Sequence, residues 1–326
     1  MTLFLPMDDY QKFNESLPLQ WLWYYEYHSP YEIHSHAVKN VLIRTKSKYQ
    51  QIDVIDTFNS GKLLILNSEP QSAQVDEYIY HEALVHPAMI VAKKIDNVLI
   101  IGGGEGATLR EVVKYKGVKK IIMVDIDEDL HKVAKEYLKE WHQDSFNDSR
   151  VTIIFDDIKN YVDKAIENNE KFDVIISDLN EPTGSTPAFK IYTPDFIEKI
   201  LKISSENLIM VLQASDLKDI LFWEYRQDKE YPIIFEHFEL FYKYFKDVLL
   251  YHAFIPSFFS DWAFIIASKS TISFDVNNID NIINQRVSGE LKFYDSETHQ
   301  LLFSLPKFVR KVLKKFSNKK EGVEII

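Results

Sequence analysis

A glycine-rich turn that carries an acidic residue follows a short apolar run near residue 100 of this 326-residue chain. The run Val98–Ile101 leads into Gly102-Gly103-Gly104-Glu105-Gly106, and a helical pattern starts directly afterwards. Such a turn brings backbone N–H groups and a helix N-terminus up to a nucleotide. Glu105 would repel a pyrophosphate, which the helix dipole would otherwise attract. We therefore expect Gly102, Gly104, Glu105 and Gly106 to bind a positively charged nucleoside without phosphates, such as a sulfonium nucleoside, rather than NAD.

Three aspartates follow the ends of other apolar runs, namely Asp125, Asp156 and Asp178. In an open parallel sheet these positions would line the ligand crevice together with Glu105. Asp125 stands at the usual interval after the glycine turn for a carboxylate that binds ribose hydroxyls. Asp156 would then meet the adenine amino group, and Asp178 would lie deepest, next to the reacting centre. Each aspartate alone could be a turn former or a helix cap, so the interpretation rests on all four acidic residues together.

Strand and helix patterns alternate after Asp96, and they supply the elements that must position these side chains. The predicted strands are Val98–Ile101, Ile121–Val124, Thr152–Phe155, Asp173–Ser177, Asn207–Leu212, Val248–Phe254 and Ala263–Ala267. The predicted helices are Leu109–Tyr115, Glu128–Trp141, Ile158–Glu167, Thr193–Ile203 and Phe235–Phe245. Repeated βα units imply a doubly wound parallel sheet, and the short link before the last strand makes that strand antiparallel. The predicted fold class is therefore α/β, with the Rossmann-like seven-stranded sheet of class I methyltransferases.

The chain before this sheet is predicted to form a small β domain. Its β-prone runs are Val38–Thr45, Gln51–Phe58 and Leu63–Leu66, with a hairpin turn at 59–62, and Asp76 is placed to cap a helix that runs to Ala92. We expect three parts: an N-terminal β domain with its linking helix (1–93), a Rossmann-like domain (94–270) and a C-terminal extension (271–326). Leu217–Ile234 stands outside this plan as an aromatic, charged insertion, and Lys307–Lys320 is predicted to be a solvated basic helix face.

Three motifs together resemble the polyamine aminopropyltransferases, the family of the spermidine and thermospermine synthases. They are the glycine turn with its glutamate, the segment Gln71–Glu82, and Asp178-Leu179-Asn180-Glu181-Pro182. Two further segments, Ile255–Trp262 and Gly289–Asp295, are similar to the thermospermine synthase branch, and the resemblance covers nearly the whole chain after about residue 22. It implies transfer of the aminopropyl group of decarboxylated S-adenosylmethionine to a polyamine, of the spermidine-to-thermospermine type, with release of 5′-methylthioadenosine.

The resemblance also implies roles for residues at matching positions. Asp178 would take the proton from the attacking amine, Tyr80 would assist it, and Glu105 would lie near the aminopropyl amine. The remaining donor ligands would be Gln71, the glycine turn, Asp125 for the ribose, and Asp156 with Asp157 for the adenine. The acceptor would contact Tyr80, His81, Asp178, Glu181, Phe258 and Trp262. Two departures concern the acceptor pocket: His81 stands where many spermidine synthases have Gln, and residues 67–70 replace an Asp-Gly turn.

This chemistry requires no metal and no bound cofactor, because a sulfonium is a good leaving group. A polyamine nitrogen has a pKa of roughly 10, as lysine does, so it arrives protonated. A carboxylate in a closed pocket can bind this cation and then accept its proton. The pair His81 and His86 does not fit a zinc-protease helix, because five residues place the two side chains about 140° apart around the helix.

Composition sets the remaining limits. The 49 acidic and 38 basic residues give a formal net charge of −11, which argues against nucleic-acid binding and suits a cationic small molecule. The chain has no cysteine, no long apolar run and no secretory signal, so we expect a cytoplasmic protein without a membrane partner. The family resemblance implies a homodimer or homotetramer. Three alternatives stay open: a spermidine synthase that uses putrescine or agmatine, a methyltransferase on the same fold, and a non-catalytic polyamine-binding protein. Glu105 and Asp178 argue against the methyltransferase.

Overall fold

The computed structural model describes residues 22–29, 32–180, 191–226 and 232–317. The chain separates into two compact units. One comprises residues 1–46 and 50–75, and the other comprises residues 47–49 and 76–326. The helix over 77–91 belongs to the second unit, whereas the sequence analysis grouped it with the N-terminal part.

The first unit is a five-stranded antiparallel sheet whose strands pair in chain order. The strands are β1 (Leu22–Ser29), β2 (Glu32–Lys46), β3 (Gln51–Thr57), β4 (Gly61–Leu66) and β5 (Glu69–Ala73). Gly61 has a φ of +65°, a conformation that favours glycine, and it closes the hairpin predicted between β3 and β4.

The second unit contains a seven-stranded sheet in the order β11-β12-β10-β9-β6-β7-β8. Its strands are β6 (Asn97–Gly102), β7 (Lys120–Asp125), β8 (Val151–Phe155), β9 (Phe172–Asp178), β10 (Ser204–Asp216), β11 (Asp247–Ile255) and β12 (Ser260–Ser268). Strands β6 to β10 run parallel, and β12 is antiparallel to both of its neighbours. The predicted fold class is confirmed. Because the chain leaves β6 towards β7 and returns to β9 on the other side, the ligand crevice is expected between the carboxyl ends of β6 and β9.

Helices connect these strands and continue to the end of the described chain. They are α1 (Glu77–Val91), α2 (Ala107–Val113), α3 (Glu128–Tyr137), α4 (Lys139–His142), α5 (Ile158–Glu167), α6 (Pro194–Lys202), α7 (Lys218–Arg226), α8 (Ile233–Tyr244), α9 (Ile279–Arg286), α10 (Ser296–Phe303) and α11 (Lys307–Ser317). The single helix predicted over 128–141 is wrong, because buried Leu138 has a non-helical φ of −119° and divides it. Among the described helices, none is long and apolar enough to cross a membrane.

Alternate residues of the central strands enter two apolar cores, one on each face of the sheet. Leu99 and Ile101 belong to the core with α5, α6 and α8, and Val98 and Ile100 belong to the core with α1 and α2. This burial on both faces explains the continuous apolar runs in the sequence. Helix α11 is not simply a solvated face as predicted, because its apolar side (Val309, Val312 and Leu313) is buried in the first of these cores.

Candidate active site

The glycine turn brings the end of β6 against the end of β9. Gly102 has a φ of +81°, and a Cβ at this position would lie 2.2 Å from the carbonyl oxygen of Asp178. The next N–H, that of Gly103, donates to the same oxygen over 3.0 Å. The backbone can therefore make this approach only with glycine at 102. Gly104 packs beside the Asp125 carboxylate, and Gly106 leads into α2.

Asp178 lies at the end of β9 and is held by two hydroxyl groups. The Tyr80 hydroxyl on α1 donates to Oδ1 over 2.9 Å, and the Thr108 hydroxyl on α2 donates to Oδ2 over 2.6 Å. Burial raises the pKa of Asp178 to about 6, and the neighbouring Glu105 adds to the rise. Burial together with Asp178 also raises the pKa of Tyr80 well above its ordinary value, so Tyr80 remains a phenol that donates its proton. Thr108 was missed by the sequence analysis, although its place in the first turn of α2 is a usable signal.

His81 bridges Glu105 and Glu77. Its Nε2 lies 3.0 Å from Oε1 of Glu105, and its Nδ1 lies 3.0 Å from Oε2 of Glu77. Burial by itself would lower the pKa of His81, but the hydrogen bonds to Glu105 and Glu77 raise it to about 10. The ring is therefore an imidazolium at neutral pH. Among the described residues His81 contacts one oxygen of Glu105, so the second oxygen can bind a ligand.

Arg110 stands behind this pair, and the sequence analysis missed it. Its guanidinium makes two bonds to the carboxylate of Glu77, of 2.8 and 2.9 Å, and a third of 2.7 Å to Glu111. These residues come from α1 and α2, and no regular spacing in the sequence connects position 77 with position 110. The only signal was a pair of charges, Arg110-Glu111, inside an otherwise apolar helix.

The carboxylates predicted to bind the donor have different surroundings. Asp125 is buried at the end of β7, where its Oδ1 accepts from the N–H of Asp127 over 2.7 Å. Burial raises the pKa of Asp125 to about 7. Asp156 lies at the neighbouring strand end, but its carboxylate bonds Lys164 and Asn160 over 2.8 and 2.9 Å. Asp157 caps α5 by accepting from the Lys159 N–H.

The carboxylates of Asp156 and Asp157 therefore both have structural partners in α5. Asp156 nevertheless lies beside Asp125 at the carboxyl ends of β8 and β7, and its N–H donates to the Asp125 carbonyl over 3.2 Å.

An aromatic wall extends from Tyr80. The Phe258 ring, in a 3-10 turn over Pro256–Phe258, lies 6.1 Å from the Tyr80 ring and 5.0 Å from the Trp262 ring on β12. The Trp262 Nε1–H donates to the side-chain oxygen of Gln213 over 3.2 Å. The structure thus brings the rings of Tyr80, Phe258 and Trp262 together, and their contact with an acceptor stays a prediction.

Gln71 and Glu181 stay predictions as site residues. Gln71 belongs to β5 of the first unit, and its side-chain amide donates to the carbonyl of Glu69 over 3.1 Å. Glu181 lies outside the described residues, and so does the rest of the loop at 181–190.

Two groups of side chains have the spacing of metal ligands within the described chain, namely His81 with Glu105 and Asp178, and Glu82 with His86 and Glu111. In the second group Glu82 accepts three backbone N–H bonds, from residues 292, 293 and 294. His86 bonds both Glu111 and the hydroxyl of Tyr115. Hydrogen bonds therefore account for the ligand atoms of this group.

Sequence comparison identifies the family to which this site belongs. A family model described as "Spermine/spermidine synthase domain" matches residues 77–278, which is more than half of the chain. The polyamine aminopropyltransferase of Sulfolobus acidocaldarius is 41% identical over 293 residues, which cover 89% of this chain and 93% of that protein. The chain belongs to the spermine/spermidine synthase family. The corresponding protein of Saccharolobus solfataricus is 37% identical over 298 residues, which cover 91% and 95%.

Solved structures of family members share the fold. A spermidine synthase in complex with the transition-state analogue AdoDATO has a TM-score of 0.78 and 29% identity, and the match covers 93% of this chain and 99% of that chain. The spermidine synthase from Thermotoga maritima has a TM-score of 0.76 and 29% identity, with 92% and 96% covered. The family resemblance and the assignment of the chain as an aminopropyltransferase enzyme are confirmed, and the thermospermine branch stays a prediction.

Proposed function

We propose that the protein transfers the aminopropyl group of decarboxylated S-adenosylmethionine to an amine of a triamine such as spermidine, releasing 5′-methylthioadenosine. The observation that carries the proposal is the Asp178 carboxylate, held by Tyr80 and Thr108 beside the glycine turn that bears Glu105. Family membership supports aminopropyl transfer, and the choice of a triamine rests on the arguments below.

In the proposed reaction the neutral acceptor nitrogen attacks the aminopropyl carbon bound to the sulfonium. The new C–N bond forms as the C–S bond breaks, and the sulfur leaves as a neutral thioether. The attacking nitrogen is neutral because its ammonium has first passed one proton to Asp178, and the product amine then carries the positive charge that the sulfonium loses. Each carboxylate oxygen of Asp178 accepts one hydroxyl bond in the structure and has a second lone pair for the amine. We propose that neither a metal nor a bound cofactor takes part, so activity should survive a chelator.

One further carboxylate supports a long acceptor. Asp76 stands at the N-cap position of α1, but its side chain does not cap the helix as predicted. Its Oδ2 accepts from the Ser257 N–H over 2.6 Å, next to Phe258 in the aromatic wall. Its Oδ1 is buried and, among the described residues, lacks a hydrogen-bond partner. An ammonium group at the far end of a triamine would satisfy this oxygen.

Two other features, the Glu77 carboxylate and the segment 289–295, give less support to a triamine, because their polar groups have partners within the protein. The carboxylate of Glu77 is occupied by Arg110 and His81, so it is not an anchor for the acceptor. Within the segment 289–295, the backbone N–H groups of residues 292–294 donate to Glu82 on α1, so these contacts hold the segment against α1 and do not indicate an acceptor. Asp76 and the aromatic wall are therefore the features that favour a triamine.

We expect kcat/KM for spermidine to exceed that for putrescine by at least about tenfold, because the diamine would leave the buried Asp76 carboxylate without a cation. Product analysis with putrescine, agmatine, spermidine and longer amines, followed by steady-state kinetics, tests this. Asp76→Asn keeps an oxygen for the Ser257 N–H and should lower kcat/KM for spermidine more than for putrescine. If kcat/KM for putrescine equals or exceeds that for spermidine, the protein is a spermidine synthase.

Activity should decline as the pH falls below about 6, the pKa to which burial raises Asp178. Only the ionised carboxylate accepts a proton. An ordinary aspartate would place the acid limb of the pH–activity profile at about pH 4, and the raised pKa of Asp178 moves this limb to higher pH. The Thr108 hydroxyl stabilises the charged form. Thr108→Val should therefore move the acid limb of kcat/KM to higher pH, whereas Thr108→Ser should not. Titration of the amine is the same for each enzyme, so an identical limb in wild type and Thr108→Val would contradict the assignment.

We also propose a cytoplasmic oligomer. The family model that matches residues 22–74 is described as "Spermidine synthase tetramerisation domain". Exposed apolar side chains share one face of β1 and β2, namely Trp23, Tyr25, Tyr27 and Ile33. Burial of such a face between copies would stabilise an assembly. Light scattering that reports a monomer would refute this part of the proposal.

A further inference from the structure

A buried row of alternating charges runs away from the active site behind Glu105. We call it the charge row, and it consists of Arg110, Glu77, His81 and Glu105. Successive members are joined by the bonds of 2.8 and 2.9 Å from Arg110 to Glu77, 3.0 Å from Glu77 to His81 and 3.0 Å from His81 to Glu105. The first three residues are only 4%, 7% and 2% exposed. The end at Glu105 reaches the reacting groups, and a ring nitrogen of His81 lies within 4.8 Å of a carboxylate oxygen of Asp178.

The hydrogen bonds of His81 require both of its ring nitrogens to be protonated. A neutral imidazole has one N–H and can donate to one carboxylate, whereas Nδ1 and Nε2 of His81 each face a carboxylate oxygen. The His81 ring also lies edge-on to the Tyr80 ring, with 5.0 Å between the two centroids. Besides Glu77 and Glu105, Asp178 is a charged group close to the His81 ring. Nδ1 also lies 2.6 Å from the main-chain carbonyl oxygen of Glu77. Glu77 therefore orients the ring through both its carbonyl and its carboxylate, and the carboxylate supplies the negative charge that keeps the ring protonated.

Arg110 in turn keeps Glu77 ionised and aligned. The two parallel bonds from its guanidinium to one carboxylate are the strong, geometrically specific form of this pair. The guanidinium also donates to the carbonyl of Trp141 over 2.8 Å, which anchors it to α4. On its other side Arg110 bonds Glu111, which also faces His86 and Lys114.

We propose that Arg110 and Glu77, which do not touch the substrates, are positioning residues for the donor. Through His81 they hold the open oxygen of Glu105 towards the ammonium group of the aminopropyl chain. The methylthioadenosine part of the donor would be bound elsewhere, at Asp125 and the glycine turn. Loss of the charge row should therefore weaken binding of the aminopropyl chain and leave the nucleoside part unaffected. This inference rests on the proposed function for its ligand, but the state of His81 can be measured without any substrate.

The test compares two ligands by calorimetry, decarboxylated S-adenosylmethionine and 5′-methylthioadenosine, which lacks the aminopropyl group. Glu77→Gln should lower the affinity for decarboxylated S-adenosylmethionine by about tenfold or more and the affinity for 5′-methylthioadenosine by less than about twofold. Glu111→Gln is the matched control, because Glu111 is equally buried and also bonds Arg110 but lies outside the charge row. It should lower the melting temperature and leave the ratio of the two affinities unchanged. An unchanged ratio in a folded Glu77→Gln protein would overturn the proposal.

A spectroscopic measurement separates positioning from a merely structural role. In histidine labelled with ¹⁵N, both ring nitrogens of His81 should be protonated at about pH 8, above the ordinary pKa of histidine. Glu77→Gln should release a proton from this ring at that pH, and Glu111→Gln should not. If Glu77→Gln does not fold, Arg110→Lys is measured in its place, since lysine keeps the charge but loses the paired bonds. Arg110→Lys should lower the affinity for decarboxylated S-adenosylmethionine and leave that for 5′-methylthioadenosine unchanged. A neutral His81 in the wild type would overturn the inference whatever the ligand, whereas a wild type that binds neither ligand would instead contradict the proposed function.

Discussion

Asp178→Asn is expected to lower kcat by about 10²-fold or more, the usual scale for loss of a general base. The asparagine oxygen still accepts one of the two hydroxyl bonds, and its Nδ2 can donate to the oxygen of the other hydroxyl, so the local geometry should survive. It cannot take a proton from the acceptor amine. Donor binding should also survive, because Asp125 and the glycine turn are the groups assigned to the nucleoside.

The measurement is single-turnover kinetics with the donor affinity determined in parallel. Asp173→Asn is the matched control. Asp173 is a buried aspartate near the start of β9, whereas Asp178 is at the end of that strand, and the Asp173 carboxylate accepts from the Asn97 N–H. It should keep near wild-type turnover per folded molecule. An Asp178→Asn enzyme with near wild-type turnover would remove Asp178 from the mechanism.

Glu105→Gln is expected to reduce the preference for decarboxylated S-adenosylmethionine over S-adenosylmethionine by at least about tenfold. The wild-type carboxylate attracts the ammonium of the aminopropyl chain. The methyl donor carries a carboxylate on this chain, which Glu105 would repel. Glutamine keeps an oxygen to accept from His81 but loses the charge, so attraction and repulsion both weaken.

Calorimetry with both nucleosides, on wild type and variant, gives the two affinity ratios. Glu170→Gln is a suitable control, since Glu170 pairs with Lys120 at the exposed start of a strand. It should leave the preference intact. Equal affinity of the wild type for both nucleosides would refute the role of Glu105 in selecting the donor.

The family was identified from the sequence by the resemblance of its motifs, and the fold class was predictable for a physical reason. In βα units the carboxyl ends of parallel strands meet at one edge of the sheet, so acidic residues after successive apolar runs must lie near each other. Glu105, Asp125 and Asp178 meet this expectation around β6, β7 and β9. The glycine turn was equally informative, because the approach of its backbone to Asp178 admits no side chain at 102.

The sequence was less informative where a residue's role depends on a distant partner. Asp76 has the residue type and position of a helix cap, yet the N–H it binds belongs to Ser257. Lys292, Phe293 and Tyr294 belong to a segment that resembles the thermospermine branch, but their amides bind Glu82. Local patterns predict local bonds, and these bonds join residues that are remote in the chain.

By itself the sequence therefore determined the alternation of strands and helices, the glycine turn and the acidic residues that face the crevice. These depend on periodicity and on backbone geometry within a few residues. Only the tertiary structure decided that Thr108 shares Asp178 with Tyr80, and that Arg110 and Glu77 stand behind His81. These contacts form where α1 and α2 pack together on the sheet. Burial there raises the pKa of Asp178, and the hydrogen bonds to Glu105 and Glu77 raise the pKa of His81 against the effect of burial.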